Sequence, residues 1–203
     1  MPLTSGPEPA IPAARGRRRP GRPQVVVVSG PTAVGKGTVV AALQRAHPEI
    51  VVSRSATTRP PRPGERDGVE YDFVDDDEFD RLVASGGLLE WAVVHNSHRY
   101  GTPRRMVEEA VAEGRTVVLE IDMQGARQVR ESYPRAEHIF LAPPSWAELV
   151  RRLVGRGTET PEQQERRLRT ARTELASAGE FDAVVVNDTV EHAVESLVEL
   201  LGL

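Results

Sequence analysis

The 203-residue chain contains no cysteine. That excludes a disulfide framework and any thiolate metal site, and it fits a reducing, cytoplasmic compartment. Lysine is nearly absent as well: of 26 Lys plus Arg residues, only Lys36 is a lysine. No apolar run approaches the roughly 20 residues that a membrane span requires. The valines at 25–28 are typical of the short runs present. No apolar stretch of secretory length follows the first arginines, so neither a signal peptide nor a membrane partner is expected.

Charge is unevenly placed. Residues 1–23 hold Arg15, Arg17, Arg18, Arg19 and Arg22 against one acid, Glu8, a net of +4. The whole chain is −4, which leaves −8 on residues 24–203. The first stretch is Pro, Gly, Ala and Arg with little apolar surface to bury. Residues 1–23 are therefore expected to be a disordered basic tail. The acidic remainder argues against a nucleic-acid partner.

From residue 24 on, short β-branched runs alternate with helical periodicity. Strands are expected at 24–29, 88–94, 116–121, 137–141 and 183–186, with an extended piece at 51–53. Helices are expected at 38–46, 76–85, 103–113, 124–131, 145–155, 160–176 and 189–201. Ser145 with Glu148 reads as a capping box, and Thr160 with Pro161 as a cap followed by proline at the first helical position. This alternation implies an α/β fold with a parallel core sheet. Residues 55–102 break the rhythm. They are too rich in proline and charge for a central parallel sheet, so they are expected to form a separate lobe inserted in a core of 24–54 and 103–203.

Gly30-Pro31-Thr32-Ala33-Val34-Gly35-Lys36-Gly37-Thr38 follows a buried strand and opens a helix. Gly30, Gly35 and Lys36 satisfy a Gly-x4-Gly-Lys pattern. Glycines let backbone N–H groups turn inward around a phosphate, the helix N-terminus adds positive potential, and Lys36 supplies a point charge. The residue after the lysine is usually Ser or Thr; here it is Gly37, with Thr38 one later. That form resembles the nucleoside monophosphate kinases. It puts in question a hydroxyl ligand for Mg²⁺ at position 37, leaving phosphate oxygens, Thr38 or water.

Arg59 and Arg62 lie three apart in a proline-bracketed loop, a spacing that suits an anionic phosphate or, as the plainer alternative, a solvated basic loop. Asp122 ends a buried strand, where α/β folds place their ligands; Glu120 is a second candidate. His95 and His98 are spaced like metal ligands but read as surface groups.

Taken with Thr57-Thr58-Arg59 and Arg62-Pro63-Gly64-Glu65, the segments Leu89-Glu90-Trp91, Tyr100-Gly101-Thr102, Ile121-Asp122-Met123-Gln124-Gly125 and Gly155-Arg156-Gly157-Thr158-Glu159 resemble the guanylate kinase family over about residues 24–202. The resemblance implies a three-layer P-loop kinase fold with a GMP-binding lobe and a mobile arginine-rich lid over about 151–176. It implies transfer of the γ-phosphoryl group of ATP to GMP or dGMP with Mg²⁺, and no obligatory protein partner. Arg59, Arg62, Tyr71 and Tyr100 would hold the GMP phosphate. Ser55, Glu90 and Thr102 would read guanine, with Asp122 nearby. Residues 30–38 and Asn187 would bind ATP. Lys36, Arg152, Arg156, Arg167 and Arg172 would be catalytic, and Thr38 and Asp122 would approach the metal, through water in part. Between Glu90 and Tyr100 the chain is about one residue longer than the common spacing, and Arg99 stands where an aromatic is frequent, so a bulge is expected there. The alternatives are a kinase of another nucleoside monophosphate and a non-catalytic module of the same family.

Overall fold

The structure is a computed structural model that describes residues 8–16, 21–94, 98–154 and 160–203. The strands are β1 (Val25–Ser29), β2 (Val51–Val52), β3 (Ala56–Thr57), β4 (Asp72–Phe73), β5 (Leu88–Val94), β6 (His98–Pro103), β7 (Val117–Glu120), β8 (Glu137–Ala142) and β9 (Ala183–Val186). The helices are α1 (Lys36–Ala46), α2 (Asp76–Ala84), α3 (Arg104–Ala112), α4 (Met123–Ser132), α5 (Trp146–Val154), α6 (Pro161–Ala176) and α7 (Val190–Leu201). Five strands form a sheet in the order β2-β7-β1-β8-β9, and four form a second sheet in the order β4-β3-β6-β5. Among the described residues no helix is long and apolar enough to cross a membrane.

The chain divides into two compact units. One comprises Pro23–Val27 and Pro48–Glu137; the other comprises Val28–His47, His138–Leu203 and the described part of Met1–Arg22. The division runs through β1. It leaves β2, β7, α3 and α4 with the second sheet, whereas sequence rhythm alone groups them with the core.

In the first unit, β2 and β7 pair in parallel at Val51↔Val117 and Val52↔Val118. Val117, Val118 and Leu119 are fully buried, which accounts for their continuous apolar pattern. The second sheet is mostly antiparallel, with β6 paired to β3 on one side and β5 on the other. Strand β6 is absent from the sequence-based reading. Its residues include Gly101 and Pro103, which locally suggest a turn, and the strand exists because both neighbours supply hydrogen bonds. Of the 91–100 segment, Trp91–Val94 pair regularly with His98–Gly101, and residues 95–97, on which the expected bulge falls, lie outside the described residues; a further irregularity precedes it. Leu88 pairs with Pro103 but Trp91 pairs with Gly101, so Leu89 and Glu90 stand together opposite Thr102. A bulge of this kind re-aims a side chain, and here the side chain is Glu90.

In the other unit, β8 and β9 pair in parallel from Ile139↔Ala183 to Ala142↔Val186. Phe140 is fully buried and meets Phe181 edge-on at 5.2 Å between ring centres. α1 begins at Lys36, two residues earlier than expected, because Gly35 turns the chain with φ 98°. α6 carries the complete capping box, with Thr160 and Gln163 bonded reciprocally and Pro161 at its start. At α5 only half of the expected box forms. Ser145 Oγ accepts from the Glu148 N–H at 3.1 Å, but the Glu148 carboxylate is engaged by Arg151 and Arg152 instead.

The expected disorder of residues 1–23 needs correction for residues 8–16. The Arg15 N–H donates to Val184 O at 3.1 Å and its carbonyl accepts from Val184 N at 2.6 Å. Its guanidinium donates to Ala178 O at 2.8 Å and Phe181 O at 3.1 Å. A backbone edge offered by β9 outweighs a composition that taken alone does not fold. Replacement of Arg15 by alanine should lower the unfolding free energy by about 1 kcal/mol and speed amide exchange at Val184. Unchanged exchange at Val184 would show that the pairing contributes nothing.

Candidate functional site

The phosphate-binding loop lies within one unit. β1 delivers the chain to Gly30, where a Cβ would lie 2.2 Å from Leu141 O, so only glycine fits. Ala33 holds φ 64° without being glycine, a strain of about 1–2 kcal/mol of the sort that concentrates at ligand-binding loops. At Gly35 a Cβ would meet Asn187 Nδ2 at 2.8 Å. Helix α1 has no side-chain cap and no acid in its first turn. Its N-terminal amides and their positive potential are thus not neutralised from within the helix. Lys36 Nζ donates to Gly30 O at 2.8 Å and approaches Pro31 O at 3.4 Å, so the ammonium rests over the loop. The Thr32 N–H already donates to a carboxylate, Glu174 Oε2, at 2.8 Å. This loop therefore accepts an anionic oxygen on its backbone.

Gly35, Thr38, Arg152, Asn187, Asp188 and Val190 line a cavity of about 250 Å³ beside the loop. Asn187 is buried, and its Nδ2 donates to Val34 O at 2.7 Å. Arg152 donates to the same carbonyl at 3.0 Å and is braced by Glu148 at 2.7 Å. Arg151 and then Arg152 hold the Glu148 carboxyl down at about 2, so it is ionised throughout the neutral range. Arg172 packs its guanidinium 4.6 Å above the Trp146 ring. Arg167 is half-buried on α6.

The other unit gathers the remaining expected residues. Arg59 is almost wholly buried and donates to Tyr100 Oη at 3.0 Å and Glu65 Oε1 at 3.0 Å. It also lies 5.3 Å from the centre of the Tyr71 ring, a cation–π distance. Glu65 raises the Arg59 pKa above its ordinary value, and Arg59 lowers that of Glu65. Glu65 Oε2 also accepts from the Arg62 N–H at 2.7 Å, which leaves the Arg62 side chain exposed. Tyr100 thus reaches Arg59 despite the longer segment before it. Arg99 is a staple, bonded to Asp76 and Asp80 of α2 and stacked 4.6 Å over Phe79.

Glu90 is 7% exposed, and its Oε1 accepts from Thr102 Oγ1 at 2.7 Å. Burial pushes its pKa up to about 7, and the nearby charge of Asp122 adds to the rise; the bond from Thr102 opposes it. Asp122 is exposed and caps α4, accepting from Gly125 N at 2.7 Å. Ser55 is half-buried at the head of β3 and accepts from Asp72 N through its carbonyl at 3.0 Å.

The structure thus places Lys36, Thr38, Arg152 and Asn187 around one loop and cavity, and Arg59, Tyr71 and Tyr100 in one cluster. Glu90 pairs with Thr102 in the same unit as that cluster. Arg156 and His95 lie outside the described residues, while His98 is half-buried in β6. Among the described residues, no group of three or more His, Cys, Asp or Glu side chains comes together as a metal site. Thr38 offers one exposed hydroxyl beside the loop. A small hard cation that keeps waters and binds mainly phosphate oxygens fits a single such oxygen. Sequence reasoning did not foresee the contacts of Glu65 with Arg59, Glu148 with Arg152 and Glu174 with the Thr32 N–H. The i,i+4 spacing of Glu148 and Arg152 was a usable signal; the other two contacts carry none.

The guanylate kinase family profile matches residues 22–202. A guanylate kinase from Cutibacterium acnes is 74% identical over 195 residues, covering 96% of this chain and 98% of that protein. One from Thermobifida fusca is 56% identical over 202 residues, covering 100% of this chain and 97% of that protein. The crystal structure of guanylate kinase from Anaplasma phagocytophilum matches with a TM-score of 0.69 at 34% identity, over 90% of this chain and 86% of that one.

A carboxyl whose folded pKa is raised contributes stability that is fully present below its unfolded value and is lost as pH rises through its folded value. For Glu90 that window runs from about 4.5 to about 7, and the loss is about 3 kcal/mol. Relative to wild type, Glu90→Gln should therefore gain unfolding free energy between pH 5 and pH 8. Denaturant titrations at both pH values check this, and an identical difference at the two would contradict the burial cost.

Proposed function

The chain belongs to the guanylate kinase family, and we propose that it transfers the γ-phosphoryl group of ATP to GMP, or to dGMP, giving ADP and GDP or dGDP. The observation that carries this reading is the buried Glu90 carboxylate beside Thr102. Guanine presents N1–H and N2–H side by side, and a carboxylate offers two acceptors at matching separation. Adenine has neither donor, so it would leave a buried carboxylate unpaired, which costs far more than a missing contact on an open surface.

Arg59 and Tyr100, with Tyr71 behind them and Arg62 exposed at the rim, form the anion-binding cluster for the GMP phosphate. Arg59 is already oriented by Glu65, so little side-chain entropy is lost when phosphate binds. On the donor side, Lys36 and the amides of residues 30–38 bind the ATP phosphates, and the cavity bounded by Asn187 takes the rest of that nucleotide. Thr38 is the residue that would approach Mg²⁺. The ion would neutralise phosphate charge. Arg152, Arg167 and Arg172, with Arg156 outside the described residues, would stabilise charge on the transferred group. A phosphate monoester has a second pKa of about 6, so the attacking oxygen of GMP is already ionised near neutrality and needs no general base. Catalysis is then alignment and charge neutralisation.

Release of ADP, followed in a coupled assay with GMP, dGMP, AMP, CMP and dTMP, should respond to GMP and dGMP and only weakly to the others. Equal rates with AMP would overturn the reading. Lys36→Ala should lower turnover at least about a hundredfold with an unchanged circular dichroism spectrum, and near-normal turnover would remove Lys36 from the mechanism.

A further inference from the structure

We infer that Gly125 is a positioning residue for base selection: the missing side chain at this point of α4 is the space that the Glu90 carboxylate occupies. The inference rests on the reading of Glu90 as the group that recognises guanine. A Cβ built at Gly125 would lie 2.8 Å from Glu90 Oε2, 3.2 Å from Glu90 Cδ and 3.4 Å from Asp122 Oδ1. The first distance is inside van der Waals contact, so something must move.

What moves is decided by what is held. The Gly125 backbone is fixed by the α4 cap, its N–H donating to Asp122 Oδ1 at 2.7 Å, and Gly125 is itself buried. Ala126, next in the helix, is 2% exposed. The Glu90 backbone sits on the bulge opposite Thr102. The terminal carboxylate is the softest element in the contact. It is held by one residue, Thr102, through the hydroxyl at 2.7 Å and the backbone, at the end of a short run of side-chain torsions. A methyl group at 125 would therefore tilt or displace the carboxylate and leave the helix in place. Two parallel hydrogen bonds to a planar base edge tolerate such a tilt poorly, because both oxygens must be aligned at once.

The backbone does not itself require glycine here. Gly125 has no positive φ, and it lies within a regular helix. Glycine in a helix is less stable than alanine. Stability favours a side chain that base reading excludes, which separates the two effects experimentally.

The test compares wild type, Gly125→Ala, Gly125→Ser and Glu90→Gln in the GMP-dependent assay, with KM for GMP and for ATP and the thermal midpoint measured for each. The expected result for both Gly125 variants is a KM for GMP raised about tenfold or more, a KM for ATP within about twofold of wild type, and a thermal midpoint no lower than wild type. An unchanged KM for GMP in both Gly125 variants, with a raised value in Glu90→Gln, would overturn the role of Gly125 while leaving guanine recognition by Glu90 intact. An unchanged KM for GMP in all three variants would overturn both. A lowered midpoint with GMP and ATP affected equally would make Gly125 a folding residue and would also overturn the inference.

Discussion

A hydrogen bond from Thr102 holds the buried Glu90 carboxylate within the Pro48–Glu137 part of the chain, and guanine recognition as proposed depends on it. A carboxylate removed from water needs partners, and its environment already pushes its pKa up to about 7. The fold supports it in three ways. The β5 bulge sets Leu89 and Glu90 against the single residue Thr102. The second sheet keeps Thr102 fully buried. α4 approaches with a glycine where any larger residue would collide. A destabilised group retained at this depth makes sense when a ligand completes its hydrogen bonding.

Arginine is organised by the same logic in both units. Arg59 is held by Glu65, and Arg152 by Glu148. The Arg152–Glu148 pair is partly open to solvent and adds little to stability, while the Arg59–Glu65 pair lies deeper. Their use is preorganisation: a guanidinium already oriented stabilises phosphate charge with less reordering. The phosphate loop follows suit, with Ala33 held in a left-handed conformation and Val34 O clasped by both Asn187 and Arg152. In a chain with a single lysine, the other cationic roles fall to arginine, whose planar fork suits phosphate better than a point charge does.

The strand, loop and helix around Lys36 were legible in the sequence because their signals are local: a valine run, glycines at fixed spacing and an amphipathic helix. Thr160, Gln163 and Pro161 define the start of α6 for the same reason. Features that depend on distant partners were not legible. His98–Pro103 becomes a strand only between β3 and β5. The bulge at Leu89 and Glu90 was not foreseen, because pairing of Trp91 with Gly101 decides the register there. Arg15 looked like part of a tail until β9 supplied a partner. Gly125 reads as an ordinary helix glycine until the carboxylate above it is seen.

The central claim is that a buried carboxylate selects guanine by its two adjacent donors. The most direct measurement is calorimetric titration of the wild-type chain with GMP and with inosine monophosphate, which keeps N1–H and lacks the 2-amino group. The account predicts GMP binding tighter by at least about tenfold, since one acceptor of a buried carboxylate would otherwise go unpaired. Equal affinities for the two nucleotides would contradict it.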